Sequence, residues 1–333
     1  MTPLLIVLAL AAAPVPKDDA ADREFREKVD AARLKAVKFL KDKQDKDGSW
    51  ESTTLTHLAG HKGGTTALAA LALLEAGAPA NDPAVARAVE YLLPLKPEKT
   101  YVVSLQTQVL ARVDAKKHAK QIQANADWLM DKAIFKEKKL EGWSYPANHI
   151  GDNSNTHFAV TGLHAAAQAG AKVDAGIWQQ VRDYYAATQK KNGGWAYHNA
   201  GDTSASQTMT AVGLLALAVA VKYDERAKGQ DPAFDKGMAL LLSGQLGELG
   251  EAGKTHFIAL MTVAELGHAL SATAFKAENK TKAWYREGVE KLLKRQQKDG
   301  SLSYSESERG VDSDQPVIST AAGLYFLGPP AKK

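Results

Sequence analysis

Gln44-Asp45-Lys46-Asp47-Gly48-Ser49-Trp50 (QDKDGSW) recurs as Gln189 to Trp195 (QKKNGGW) and again as Gln296 to Leu302 (QQKDGSL). A looser copy, Glu141-Gly142-Trp143-Ser144-Tyr145, lies between the first two. The final positions of these copies stand about two, one and two periods of roughly fifty residues apart, a length that marks helical arrays. Two further copies are therefore expected near Tyr101 and Glu251, where Lys96-Pro97-Glu98-Lys99 and Gly247-Glu248-Leu249-Gly250 have turn composition without the aromatic.

Each repeat reads as two helices. The segments before the motif, 31–44, 174–189 and 282–296, mix Lys, Glu and Gln with spaced apolar residues, the pattern of a helix with one wet face. Asn81-Asp82-Pro83 and Asp231-Pro232 are helix-start signals, a capping side chain followed by proline in the first turn. Six nearly uncharged segments, 65–75, 104–113, 155–169, 206–221, 255–266 and 316–327, demand burial on most sides and are expected as inner helices. Gly77 and Gly170 are expected as left-handed C-caps, and Gly162, Gly213 and Gly323 as points where neighbouring inner helices approach closely. The expected fold is all-α: an α/α toroid of six outer-inner pairs over residues 21–330. An open α-solenoid is the alternative.

Gln44, Gly48, Trp50, Gln189, Gly193 and Trp195, followed by Thr-Ala runs at Thr66 and Thr210, resemble the QW motif of the prenyltransferase and squalene-cyclase repeat family. Trp143 and Gly300 fit the same pattern. The resemblance spans about residues 31–327 and implies a terpenoid cyclase-type toroid, in which these residues are structural. The glycine makes the turn, the glutamine bonds backbone groups and the indole packs. The acid motif that the resemblance implies, Asp-x-Asp-Asp, has its nearest match in Asp312-Ser313-Asp314-Gln315, with glutamine in the final place. The family's zinc-dependent members use a cysteine, and this chain has none. No cofactor and no metal is expected.

Of 333 residues, 45% are hydrophobic and 24% charged, which suits a folded globular chain. The formal charge is only +4, and the basic cluster from Lys136 to Lys139 contains Glu137, so it reads as a solvated face and not a nucleic-acid groove. Residues 3–13 (PLLIVLALAAA) form an apolar run too short to span a bilayer. With the following small and charged residues, the segment 1–20 reads as a signal peptide and linker, so a secreted or periplasmic location is expected. No other stretch is long enough for a stable membrane span.

Fold resemblance does not carry function, so the site is read from its own residues. The outer-to-inner loops share one rim and hold much of the polar inventory. Asp152, Asp202, Asp312 and Gln315 sit at inner-helix starts, with His157, Gln207 and His256 in the first turns, expected to face the ring axis. Helix N-termini gathered at one mouth favour an anionic group, although aspartates there also serve as caps. The leading reading is a non-catalytic toroid holding an isoprenoid or other lipid, a small molecule or a protein segment at this mouth. One alternative is a squalene-type cyclase or isomerase with Asp314 as acid and Asp312 as its like-charged neighbour. The other is a carbohydrate-active enzyme using Asp152, Asp202 and Asp314, with Tyr145 or Tyr197 as platforms.

Overall fold

The computed structural model describes residues 20–51, 62–198, 204–224, 231–244, 257–277, 279–302 and 316–328. Six inner helices, α2 (Gly64–Glu75), α4 (Thr100–Asp114), α6 (Asn153–Gln168), α8 (Gln207–Ala220), α10 (Phe257–Ala269) and α12 (Pro316–Phe326), alternate with six outer ones. The outer helices are α1 (Ala20–Asp42), α3 (Pro83–Leu92), α5 (Ala119–Asp131), α7 (Ala175–Thr188), α9 (Pro232–Ser243) and α11 (Trp284–Arg295). Each inner helix packs on the next, and α12 packs on α2, so the ring closes; the open solenoid is excluded. Burial explains the inner segments: from Met209 to Ala220 every residue of α8 is buried. No described helix is long and apolar enough to cross a membrane.

The repeated motif makes one junction three times. The side-chain amides of Gln44, Gln189 and Gln296 each donate twice, to Gly48, Gly193 and Gly300 O within the motif and to Ala84, Ala233 and Ala32 O of the next outer helix. Asp47, Asn192 and Asp299 accept the backbone N–H two residues on, completing the turn. The glycines take φ of +87°, +92° and +91°. An added Cβ would lie only 2.5–2.7 Å from Arg87, Lys236 or Lys35 O, so no side chain fits. The third junction joins α11 to α1 and is the seam of the ring; Arg33 Nε supports it by donating to Leu327 O at 2.9 Å. The indoles of Trp50, Trp143 and Trp195 are buried and donate to Leu40, Leu129 and Tyr185 O on the outer helices. Each buries a large apolar area while its one polar atom is satisfied.

The capping signals act as read: Asp82 accepts from Ala84 N, and Asp231 from Ala233 and Phe234 N. Gly77 and Gly170 end α2 and α6 at φ +96° and +89°. Gly162 does allow close helix approach, its face lying against the Ser104 backbone of α4. Gly213 and Gly323 correct the expectation: they make room for Trp195 and Leu302 of the motif and not for a neighbouring inner helix. Two hairpins were also not foreseen, β1 (Ile134–Lys136) with β2 (Lys139–Gly142) and β3 (Phe275–Ala277) with β4 (Lys280–Lys282). Glu137 and Lys138 turn the first with φ of 50° and 66°. Residues 1–19, Gly247 to Gly250, Asp202, His256, Asp312, Asp314 and Gln315 lie outside the described residues.

Candidate functional site: an axial chamber

At the rim where the inner helices begin, Asp152 serves the scaffold, while Tyr145 and Tyr197 are exposed. Asp152 caps α6: one carboxylate oxygen accepts from Asn155 N at 2.8 Å, the other from Asn155 Nδ2 and Ser144 Oγ. Gln207 departs from the expectation that it faces the axis. Its amide turns to Leu240 O of α9, because Gly244 leaves space for it beside the outer helix. His157 does enter the ring interior. Its Nε2 lies 2.9 Å from Glu265 Oε2, joining α6 to α10 across the ring past α8, and both side chains are buried. His157 Nδ1 has no partner among the described residues.

Beyond Glu265, toward the C-terminal ends of the inner helices, a chamber of about 380 Å³ opens. It lies at the end of the ring opposite the expected mouth, whose loops at 52–61, 199–203, 251–256 and 303–315 fall outside the described residues. Ala111, Ala165, Leu215 and Val219 supply apolar wall; Gln108, Arg112, His164, Lys222, Glu265 and His268 supply the polar groups. Among the described Phe, Tyr and Trp residues only Tyr325 lines it. The volume is at the small end of the range for ligand pockets, about 300–1,000 Å³.

The polar wall is organised from behind. Arg112 Nη2 reaches Glu75 Oε2 at 3.3 Å and the Tyr325 hydroxyl at 3.5 Å, spanning α4, α2 and α12. Burial opposes the guanidinium charge, but Tyr325, Glu75 and Glu265 outweigh it and hold Arg112 above its ordinary value. His268 Nδ1 stands 3.6 Å from the other oxygen of Glu75. His164 Nδ1 bonds the Tyr223 hydroxyl at 2.7 Å. Burial first, then the charges of Lys222 and Arg112, push His164 down to about 4.

That depression fixes a pH dependence. The unfolded imidazole takes up a proton near 6.5, the folded one only near 4, so the stability contribution is complete above pH 6.5 and is lost as pH falls toward 4. We expect His164→Gln to lack this loss, which is on the order of 2–3 kcal/mol. Urea midpoints of parent and variant at pH 7.5 and 4.5 measure it; equal pH sensitivity in both would contradict the assignment.

Arg112, Glu265, Glu75, His164 and His268 were not singled out from sequence, although a signal existed: isolated ionisable residues inside segments otherwise apolar enough to be buried. A buried charge needs a partner or a use.

No protein-family model matches the chain, and no curated protein matches it. Solved structures do. Apo type II terpene cyclase MstE from Scytonema superposes with a TM-score of 0.62 at 13% identity, over 90% of this chain and 97% of that one. A variant of the same cyclase in complex with geranylgeranyl dihydroxybenzoate, its substrate, gives 0.59 at 14% identity, over 92% and 97%. At such identity the likeness concerns architecture, and on that ground the chain has the α/α toroid fold of the terpene cyclases.

Proposed function

We propose that this chain is an exported, non-catalytic toroid of the squalene-cyclase and prenyltransferase repeat type, which holds a small ligand in the axial chamber. One observation carries the reading: the ring interior contains a cavity, open at one end, whose polar groups are prearranged, while among the described residues its aromatic lining is limited to Tyr325. A developing carbocation needs aromatic faces around it, and one ring supplies little of that shielding. The threefold Gln and Gly junction, with an indole in two of its copies, supports the repeat family, and the apolar run at 3–13 supports export.

The cyclase reading stays as the second, because the structural likeness is to a terpene cyclase that binds a prenyl substrate. Asp314, with Asp312 beside it, would be its acid. Incubation with squalene and shorter isoprenoids, analysed by gas chromatography, separates the two. We expect unchanged isoprenoid; cyclised product that is abolished in Asp314→Asn would establish the cyclase and overturn the non-catalytic reading. The carbohydrate-active alternative would have to rest on Asp202 and Asp314, since Asp152 gives both carboxylate oxygens to Asn155 and Ser144.

A further inference from the structure

We infer that the chamber recognises an oxyanion head group, a carboxylate or a phosphate, on its ligand; this rests on the reading that the chamber is a binding site. Three cationic or protonatable side chains reach the chamber from the last turns or just beyond them: Arg112 of α4, Lys222 after α8 and His268 of α10. A plainer role for such residues is to bond the terminal carbonyls and offset the helix dipoles. Their contacts do not fit that role. Among the described residues Arg112 bonds Glu75 and Tyr325, His268 faces Glu75, and Lys222 has no partner.

The carboxylates in reach are already engaged. Glu265 is paired with His157, and Glu75 is shared by Arg112 and His268. Donors remain: the guanidinium has five N–H groups and two contacts, and the Lys222 ammonium has three. Glu75 and Tyr325 both take Nη2, and Arg112 lines the cavity, so the rest of a planar fork suited to an oxyanion is left for a ligand. Lys222 is exposed, yet the chamber edge takes part of its hydration away and lowers its affinity for its proton, and no described anion compensates it. An incoming oxyanion would meet that unpaired ammonium and the open side of the guanidinium together, with Ala111, Leu215 and Val219 left for the apolar part of the molecule.

Isothermal titration of the full chain with dodecyl phosphate, inorganic phosphate and dodecanol tests this. Dodecyl phosphate should bind at least about tenfold more tightly than dodecanol, and more weakly as salt is raised. Lys222→Met and Arg112→Gln should each weaken it at least about tenfold; Arg112→Lys, which keeps the charge but loses the fork, should also weaken it. Binding of inorganic phosphate as well would mark the head group alone as sufficient. Binding of dodecyl phosphate alone would mark an acidic amphiphile as the source; either result supports the inference. Equal affinity for dodecanol and dodecyl phosphate, or no change in Lys222→Met, would overturn it. Lys222 is exposed at the rim, so its variant reports even where Arg112→Gln fails to fold. No binding of any anionic probe by a chain that retains a neutral ligand would sink this inference and leave the binding reading standing; no ligand of any kind would sink both.

Discussion

Replacing His157 by leucine should destabilise the chain by about 3–5 kcal/mol, whereas replacing His157 and Glu265 together should restore most of that loss. The pair crosses the ring interior from α6 to α10, with His157 2% and Glu265 7% exposed, so either group left alone has little water to turn to. Without His157 the Glu265 carboxylate loses its hydrogen-bonded partner and keeps only the more distant charge of Arg112, so much of its desolvation goes uncompensated. Two leucines of similar bulk would leave no charge to solvate. They would also remove the unpartnered Nδ1, itself a cost to the parent fold. Urea unfolding of the two single variants and the double variant gives the coupling directly. Additive losses would show that the pair is not held as a unit, and that Glu265 reaches the chamber floor by other means.

Gly300→Ala should cost about 3–5 kcal/mol, against about 1–2 for Gly170→Ala. Both glycines adopt left-handed backbone, φ +91° and +89°, so the conformational cost is shared. They differ in surroundings. An alanine Cβ at 300 meets Lys35 O at 2.5 Å, whereas at 170 nothing lies within 4 Å. Lys35 belongs to α1, so the displaced atom is backbone of the first outer helix and the strain falls on the seam where the last repeat meets the first. Thermal unfolding of the two variants side by side isolates that approach. Equal shifts would mean that the seam is loose and that closure depends on the α12–α2 packing alone.

These two sites also show how far sequence reading reaches. The toroid was legible because its determinants are local and repeated: Gln44, Gly48 and Trp50 return at 189, 193 and 195, and burial of whole helices leaves long uncharged runs. Inner helix α8, expected over 206–221, is found at Gln207–Ala220. The chamber was not legible in the same way. His157 was picked out for its place in a first turn, yet its partner Glu265 is 108 residues away, and only closure of the ring brings them together. Arg112, Glu75 and Tyr325 likewise meet because α4, α2 and α12 are neighbours around the circle, a relation no spacing encodes. Gln207 was misplaced for a related reason. Helical periodicity says which residues share a face, but the space left by Gly244 decided which face turned outward. The hairpins at 134–142 and 275–282 escaped because three- and four-residue strands between helices carry almost no periodic signal.

The central claim, a ligand held in the axial chamber, is tested most directly by native mass spectrometry of the chain gently isolated from its own cells, beside Ala165→Phe. Ala165 lines the chamber wall, and a phenyl ring there would project into the space a ligand occupies. The parent should carry a reproducible extra mass that Ala165→Phe lacks while keeping its helical circular dichroism. An unliganded parent, or the same bound mass in both proteins, would contradict the account.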